Sequence, residues 1–190
     1  MTHRWRITVG VALTLGVMLA LMVSPMRDET ATNDETVFLG AGYSYWQGHR
    51  YCLNVEHPPL MQLWSGLPLS FMAIHSPQNA ETYFNQTFPS SVAMTWDYHV
   101  EPRAKLVPAP EPYYHYSAVE AGYFGRALVY GGQNDADRLL FWGRFMQALV
   151  TLATGLLVFL WAKSLSNASG GLLALVVWTF NPLALGYGHL

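Results

Sequence analysis

The chain has 190 residues, of which 12% are charged and 52% hydrophobic, with a formal net charge of −2 at pH 7. A typical soluble domain carries roughly 25% charged residues, so this composition excludes an ordinary water-exposed surface. The near-neutral balance gives no basis for nucleic-acid binding, which needs a basic face, and the lone Cys52 excludes an intrachain disulfide framework or a CxxC centre.

Arg4 and Arg6 precede an apolar run, Ile7 to Met26, that holds no charged residue. At about 20 residues it is long enough to cross a hydrocarbon core of about 30 Å. His3, Arg4 and Arg6 would also suit the start of a signal peptide. The run exceeds the core of about 7–15 residues found in such peptides. Leu21-Met22-Val23-Ser24-Pro25 also offers no clean small-x-small cleavage site. Residues 1–26 therefore read as an uncleaved first transmembrane helix.

Residues 27–144 form a segment of about 115 residues, and connections that long are usually functional. Thr32-Asn33-Asp34-Glu35 fits a capping box, with Thr32 as N-cap and Glu35 three positions on. It predicts a helix over about 33–47, with Phe38, Ala41, Gly42 and Tyr45 at helical spacing. Trp46, Gly48 and Asn54 lead to a break. His57-Pro58-Pro59 opens a second helix over about 58–73, because proline suits a first turn. Leu60, Leu63, Trp64, Leu67 and Phe71 line one stripe of it. Aromatic residues on such a stripe suit the lipid–water boundary, so both amphipathic helices are expected to lie on the membrane surface.

From His75 to Asp137 the chain contains Pro77, Pro89, Pro102, Pro108, Pro110 and Pro112, and 107–112 is expected to be extended. Ala118 to Tyr130 reads as one more helix, ended by Gly131-Gly132-Gln133-Asn134. Two further apolar runs follow, Phe145 to Ala162 and Gly170 onward. Ser164 to Gly171 separates them as a turn, so 145–190 reads as a transmembrane hairpin. Arg144 would cost about 2.5–3.5 kcal/mol at a helix centre, which predicts it at the outer edge of the second span. Short loops with lysine or arginine stay cytoplasmic, whereas long loops escape that rule. Met1 and Lys163 are then expected inside and residues 27–144 outside. The fold class expected is an all-α polytopic membrane protein: three transmembrane helices, a large extracytoplasmic loop with juxtamembrane helices, and a place in the cell membrane.

No Walker loop, GxGxxG or HExxH is present. The candidate chemistry lies in acids and histidines of the outer loop. Asp34-Glu35 sits close after the first span, and either helix capping or acid–base work accounts for it. Glu56-His57 precedes the second helix, where a carboxylate or imidazole would bind a metal or phosphate, or would simply form a polar turn. His75, His99, His115 and His189 share no metal-ligand spacing and are assigned to loops. Asn85-Gln86-Thr87 is a sequon.

The order of these features resembles the N-terminal part of the polyprenyl- or dolichyl-phosphate-dependent GT-C glycosyltransferases of family 39 type. That group includes protein O-mannosyltransferases and the aminoarabinose transferase acting on lipid A. The resemblance runs over essentially the whole chain. It rests on Asp34-Glu35 after the first span, on Glu56-His57-Pro58-Pro59-Leu60 opening a helix, and on an arginine-flanked span followed by an Asn-Pro-bearing one. It implies transfer of a sugar from a polyprenyl-phosphate carrier to a protein or lipid acceptor on the extracytoplasmic face. Asp34 matches the catalytic base and Glu35 the second acid of that pair. Glu56 matches a carboxylate that binds a divalent metal ion in some members, and His57 a residue contacting the carrier phosphate. At the His57 position the aminoarabinose enzyme has a lysine and the O-mannosyltransferases a histidine. Family members have roughly a dozen spans, so the chain is expected to be a fragment that is inactive alone. The reading from a different class is a non-catalytic membrane module binding a lipid carrier or protein partner through the aromatic outer loop.

Overall fold

The computed structural model describes residues 3–48, 53–54, 57–77 and 114–189. Cys52, Glu56, His99, the sequon at Asn85 and the proline run lie outside the described residues. All regular structure among the described residues is helical, with no strand. The helices are α1 His3–Val23, α2 Asn33–Gly48, α3 Pro59–Gly66, α4 Tyr114–Tyr130, α5 Ala136–Leu165, α6 Ala168–Thr179 and α7 Pro182–Tyr187, with a 3-10 turn over Pro68–Phe71. Two of them are long and apolar enough to cross a membrane: 20 residues of α1, Arg4–Val23, and the 30 residues of α5. The chain divides into two compact units, Met1–Thr30 with Arg144–Leu190, and Ala31–Gly143.

In the first unit α1 packs against α6 and α7. Met18 and Met22 lie at i and i+4 and are fully buried, with Met26 almost so, and the flexible thioether fills the irregular seam between helices. Leu13, Val17 and Leu21 stay exposed on the same helix. The third apolar run is not one continuous helix. Its first part, α6, has 12 residues and so spans about 18 Å. Pro182 lacks the N–H needed to continue it, and Asn181 instead caps α7 by accepting from the Leu183 and Ala184 amides at 2.9 and 3.3 Å. Asn167 caps α6 in the same way, accepting from Ser169 and Gly170 at 3.0 Å each.

The helix that carries the second apolar run starts before that run, because α5 begins at Ala136 behind Asp135, whose carboxylate accepts from the Arg138 amide at 3.1 Å. Arg144 therefore lies about two turns inside a long helix and is only 2% exposed. The physical reason is a set of backbone acceptors. The turn after α1 leaves carbonyls unpaired, and the Arg144 guanidinium donates to those of Met26, Glu29 and Thr30, the last two at 3.0 and 3.2 Å.

In the second unit α2 is the central element, packed on α3 and α4. Glycines let the backbones touch. A Cβ on Gly125 of α4 would run into the Thr36 carbonyl of α2, and one on Gly42 of α2 into the Gln62 carbonyl of α3. Thr36 and Gly40 share one face of α2, while Gly42 is about 200° further round, so α3 and α4 dock on opposite faces. Leu39, Phe124, Leu128, Leu139 and Leu140 belong to the core of this unit. Asn134 closes it: its Oδ1 accepts from the His75 amide and its Nδ2 donates to the His75 and Leu128 carbonyls, each at 2.9 Å.

Candidate functional site

The first turn of α2 separates the two acids. The Glu35 carboxylate accepts from the Thr32 amide at 2.6 Å, and the Thr32 hydroxyl accepts from the Glu35 amide at 3.3 Å. That reciprocal pair is a capping box, so one Glu35 oxygen is already engaged. Asp34 is exposed and makes no hydrogen bond or ion pair among the described residues. Of the two acids it is the one with a carboxylate open to a ligand.

Phe38 follows Asp34 by four residues, and residues at i and i+4 are surface neighbours about 5–6 Å apart on a helix. The His57 ring packs edge-on against Phe38, with ring centroids 5.2 Å apart and planes at 69°. Two turns further along the same face, the Tyr45 hydroxyl donates to the Asn54 carbonyl at 3.2 Å and accepts from the Asn54 amide at 3.1 Å. Asn54 and His57 are thereby held at two points along α2, His57 against Phe38, the residue one turn after Asp34. Glu56, between them, lies outside the described residues.

His57 leads into α3, where Pro58 is the N-cap and no side chain caps the helix. Pro59 has no N–H, which leaves the Leu60 and Met61 amides without an intrahelical acceptor. Such amides beside an exposed imidazole favour an anion. Leu60 of α3 is 70% exposed and Phe71, at the end of the 3-10 turn that follows, 84%, while Gln62, Ser65 and Gly66 form the buried side of α3. Trp46 ties α2 to α3 by donating from its indole N–H to the Leu63 carbonyl at 2.8 Å.

Sequence reasoning missed three residues here. Arg126 of α4 donates to the Asn33 side-chain oxygen at 2.8 Å across 93 residues, which puts a guanidinium against the first turn of α2. Gln62 is fully buried, donates to the His57 carbonyl at 3.2 Å, and its own Oε1 has no partner among the described residues. Phe38 is the platform for His57. None carries a local motif, although the Gly125-Arg126 pair could have drawn notice as a small residue beside a cation. Among the described residues no three His, Cys, Asp or Glu side chains converge on a metal position. Of the histidines assigned to loops, His115 falls within α4 and His189 is buried, 1% exposed, beside Glu29.

Compared with models of protein families, with curated proteins and with solved structures, the chain matches none.

Proposed function

We propose that this chain is part of a membrane glycosyltransferase that moves a sugar from a polyprenyl-phosphate carrier to an acceptor hydroxyl on the extracytoplasmic side. The observation that supports the reading is the packing of the exposed His57 on Phe38 at 5.2 Å, Phe38 being four residues after the open Asp34 on α2. An acid and an imidazole are thereby both tied to the first half of α2, on a chain with two helices apolar enough to cross a bilayer.

In this reading Asp34 accepts the proton of the acceptor hydroxyl as its oxygen attacks the anomeric carbon. The bond from that carbon to the phosphate oxygen breaks, and the carrier leaves as its monophosphate. His57 and the open amides of α3 hold the phosphate through reactant and product, so positioning and charge stabilisation supply most of the rate. Glu35 supports the helix that presents Asp34, and Glu56 is the residue to hold a divalent metal ion if one takes part. The long outer segment is extracytoplasmic, α1 and α5 span the cell membrane, and α6 with α7 completes a third crossing. The exposed Leu60 of α3 and Phe71 of the 3-10 turn rest at the lipid surface.

The test is release of polyprenyl phosphate from radiolabelled polyprenyl-phosphate-linked hexoses by membranes containing the full native product. Asp34→Asn is expected to lower release by about 100- to 10,000-fold, the usual worth of general-base catalysis, with unchanged insertion. Unaltered turnover would remove Asp34 as the base. Carrier binding that survives Asp34→Asn, without turnover in the wild type, would favour the binding module instead.

A further inference from the structure

Gln62 lies near the start of α3, where its backbone carbonyl is so close to α2 that a Cβ on Gly42 would run into it. It is fully buried. Its side chain turns back toward the beginning of the helix, and Nε2 donates to the His57 carbonyl at 3.2 Å. That carbonyl decides which way round the amide sits, because a carbonyl only accepts. Oε1 is left without a partner among the described residues. A buried acceptor with no donor destabilises a fold, and an apolar side chain of similar size would avoid it. Half of the Gln62 amide thus gives the core nothing, and the other half is bound to the residue before Pro58.

The other contacts of this segment fall on one stripe of α2. Phe38, Gly42 and Tyr45 stand at i, i+4 and i+7 and so share a face. The Tyr45 hydroxyl holds the Asn54 backbone at 3.2 and 3.1 Å, Phe38 meets the His57 ring, and Gly42 seats Gln62. Pro58 and Pro59 each restrict the backbone of the residue before them. We propose that Gln62 is a positioning residue for His57: it fixes the His57 backbone so that the exposed imidazole stands on Phe38, ready for the carrier phosphate. The proposal rests on the reading of His57 as the phosphate contact. Gln62, being fully buried, acts through His57 and touches no ligand itself. Its effect is on affinity, because a side chain ordered beforehand does not have to be ordered on binding.

The test is nuclear magnetic resonance of the full chain in detergent, with isotope-labelled histidine, titrated with polyprenyl phosphate. The His57 signal is the one missing in His57→Gln, and Phe38→Leu shows where it moves when the ring loses its platform. Gln62→Met removes the bond and the unmet acceptor together, so it is expected to melt within about 2 °C of the wild type. Its His57 signal should move toward the Phe38→Leu position. Its dissociation constant for polyprenyl phosphate should rise about 2- to 10-fold, the effect of freeing one side chain. A His57 signal that keeps its wild-type position overturns the proposal, and so does an unchanged dissociation constant. If Gln62→Met fails to fold, Gln62→Asn, whose amide is one methylene too short to reach the His57 carbonyl, decides by the same two readouts. A wild type that binds polyprenyl phosphate but transfers no sugar removes the transferase reading, while a displaced signal and weaker binding in Gln62→Met still support the role of Gln62.

Discussion

The two units differ most in what they expose. In residues 1–30 with 144–190 the exposed residues include Leu13, Leu157, Trp161, Leu173 and Val177, each more than 60% exposed, while Arg144, Thr179 and His189 are buried along with Met18, Met22 and Leu175. In residues 31–143 the covered residues are mainly Leu39, Phe124, Leu128 and their neighbours, and Asp34, Arg126 and Asp137 face outward. Exposed leucine, valine and tryptophan are costly in water and favourable in hydrocarbon. The contrast sets an apolar outer surface on the first unit against charged residues on the outside of the second. It also shows two ways of bringing helices together: methionine seams in the first unit and direct backbone contact through glycine in the second.

The largest effect should come from filling a glycine contact. Gly42→Ala puts a Cβ into the Gln62 carbonyl, where backbone rather than a flexible side chain must yield. A loss of about 3 kcal/mol is expected, the upper end for overpacking. Gly16→Ala in α1 meets nothing within 4 Å and should gain up to about 1 kcal/mol of helix propensity. Unfolding of both variants in the same detergent checks the pair. Equal responses would break the distinction between the two units.

Arg144→Met comes next. It removes the donor for three carbonyls of the turn after α1, and unmet buried acceptors cost about 1–3 kcal/mol. A net loss of about 2–3 kcal/mol is expected, with partial recovery in Arg144→Lys, since a lysine donates from one point rather than a fork. The same change at the exposed Arg138 should stay within about 0.5 kcal/mol. In the second unit Asn134→Asp keeps the acceptor for the His75 amide but loses both donated bonds. Its expected cost is about 2 kcal/mol, read by the same unfolding measurement.

What the sequence made legible was local. Thr32 and Glu35 are three residues apart, so their cap can be read from type and spacing, and the apolar runs reveal α1 and α5 by length alone. Arg144 was read as an edge residue because a charge in hydrocarbon is expensive. Its three carbonyl partners come from residues more than 110 positions away, and no local pattern announces them. The break at Asn181-Pro182 was visible in the residue types, but counting apolar residues runs straight through it. Of the candidate site, Asp34 and His57 could be named individually. The contact of His57 with Phe38 and the helix contacts through Gly42 and Gly125 depend on long-range packing.

The smallest effects separate the two acids. The Glu35 carboxylate accepts from the Thr32 amide and is lost in Glu35→Ala, whereas the bond from the Glu35 amide to the Thr32 hydroxyl remains, so the change should cost about 1 kcal/mol, the usual value of such a cap. Asp34 has no such bond, and Asp34→Asn gives up only a favourable charge at a helix N-terminus, about 0.3–1 kcal/mol and at the low end for an exposed site. In the transfer assay the order should reverse. Asp34→Asn loses nearly all turnover while melting almost like the wild type, and Glu35→Ala melts earlier but keeps activity below its melting point. A Glu35→Ala protein that is stable yet inactive, beside an active Asp34→Asn, would exchange the roles of the two carboxylates. Because Asp34 carries so little of the fold, any large loss of activity there must be chemical in origin.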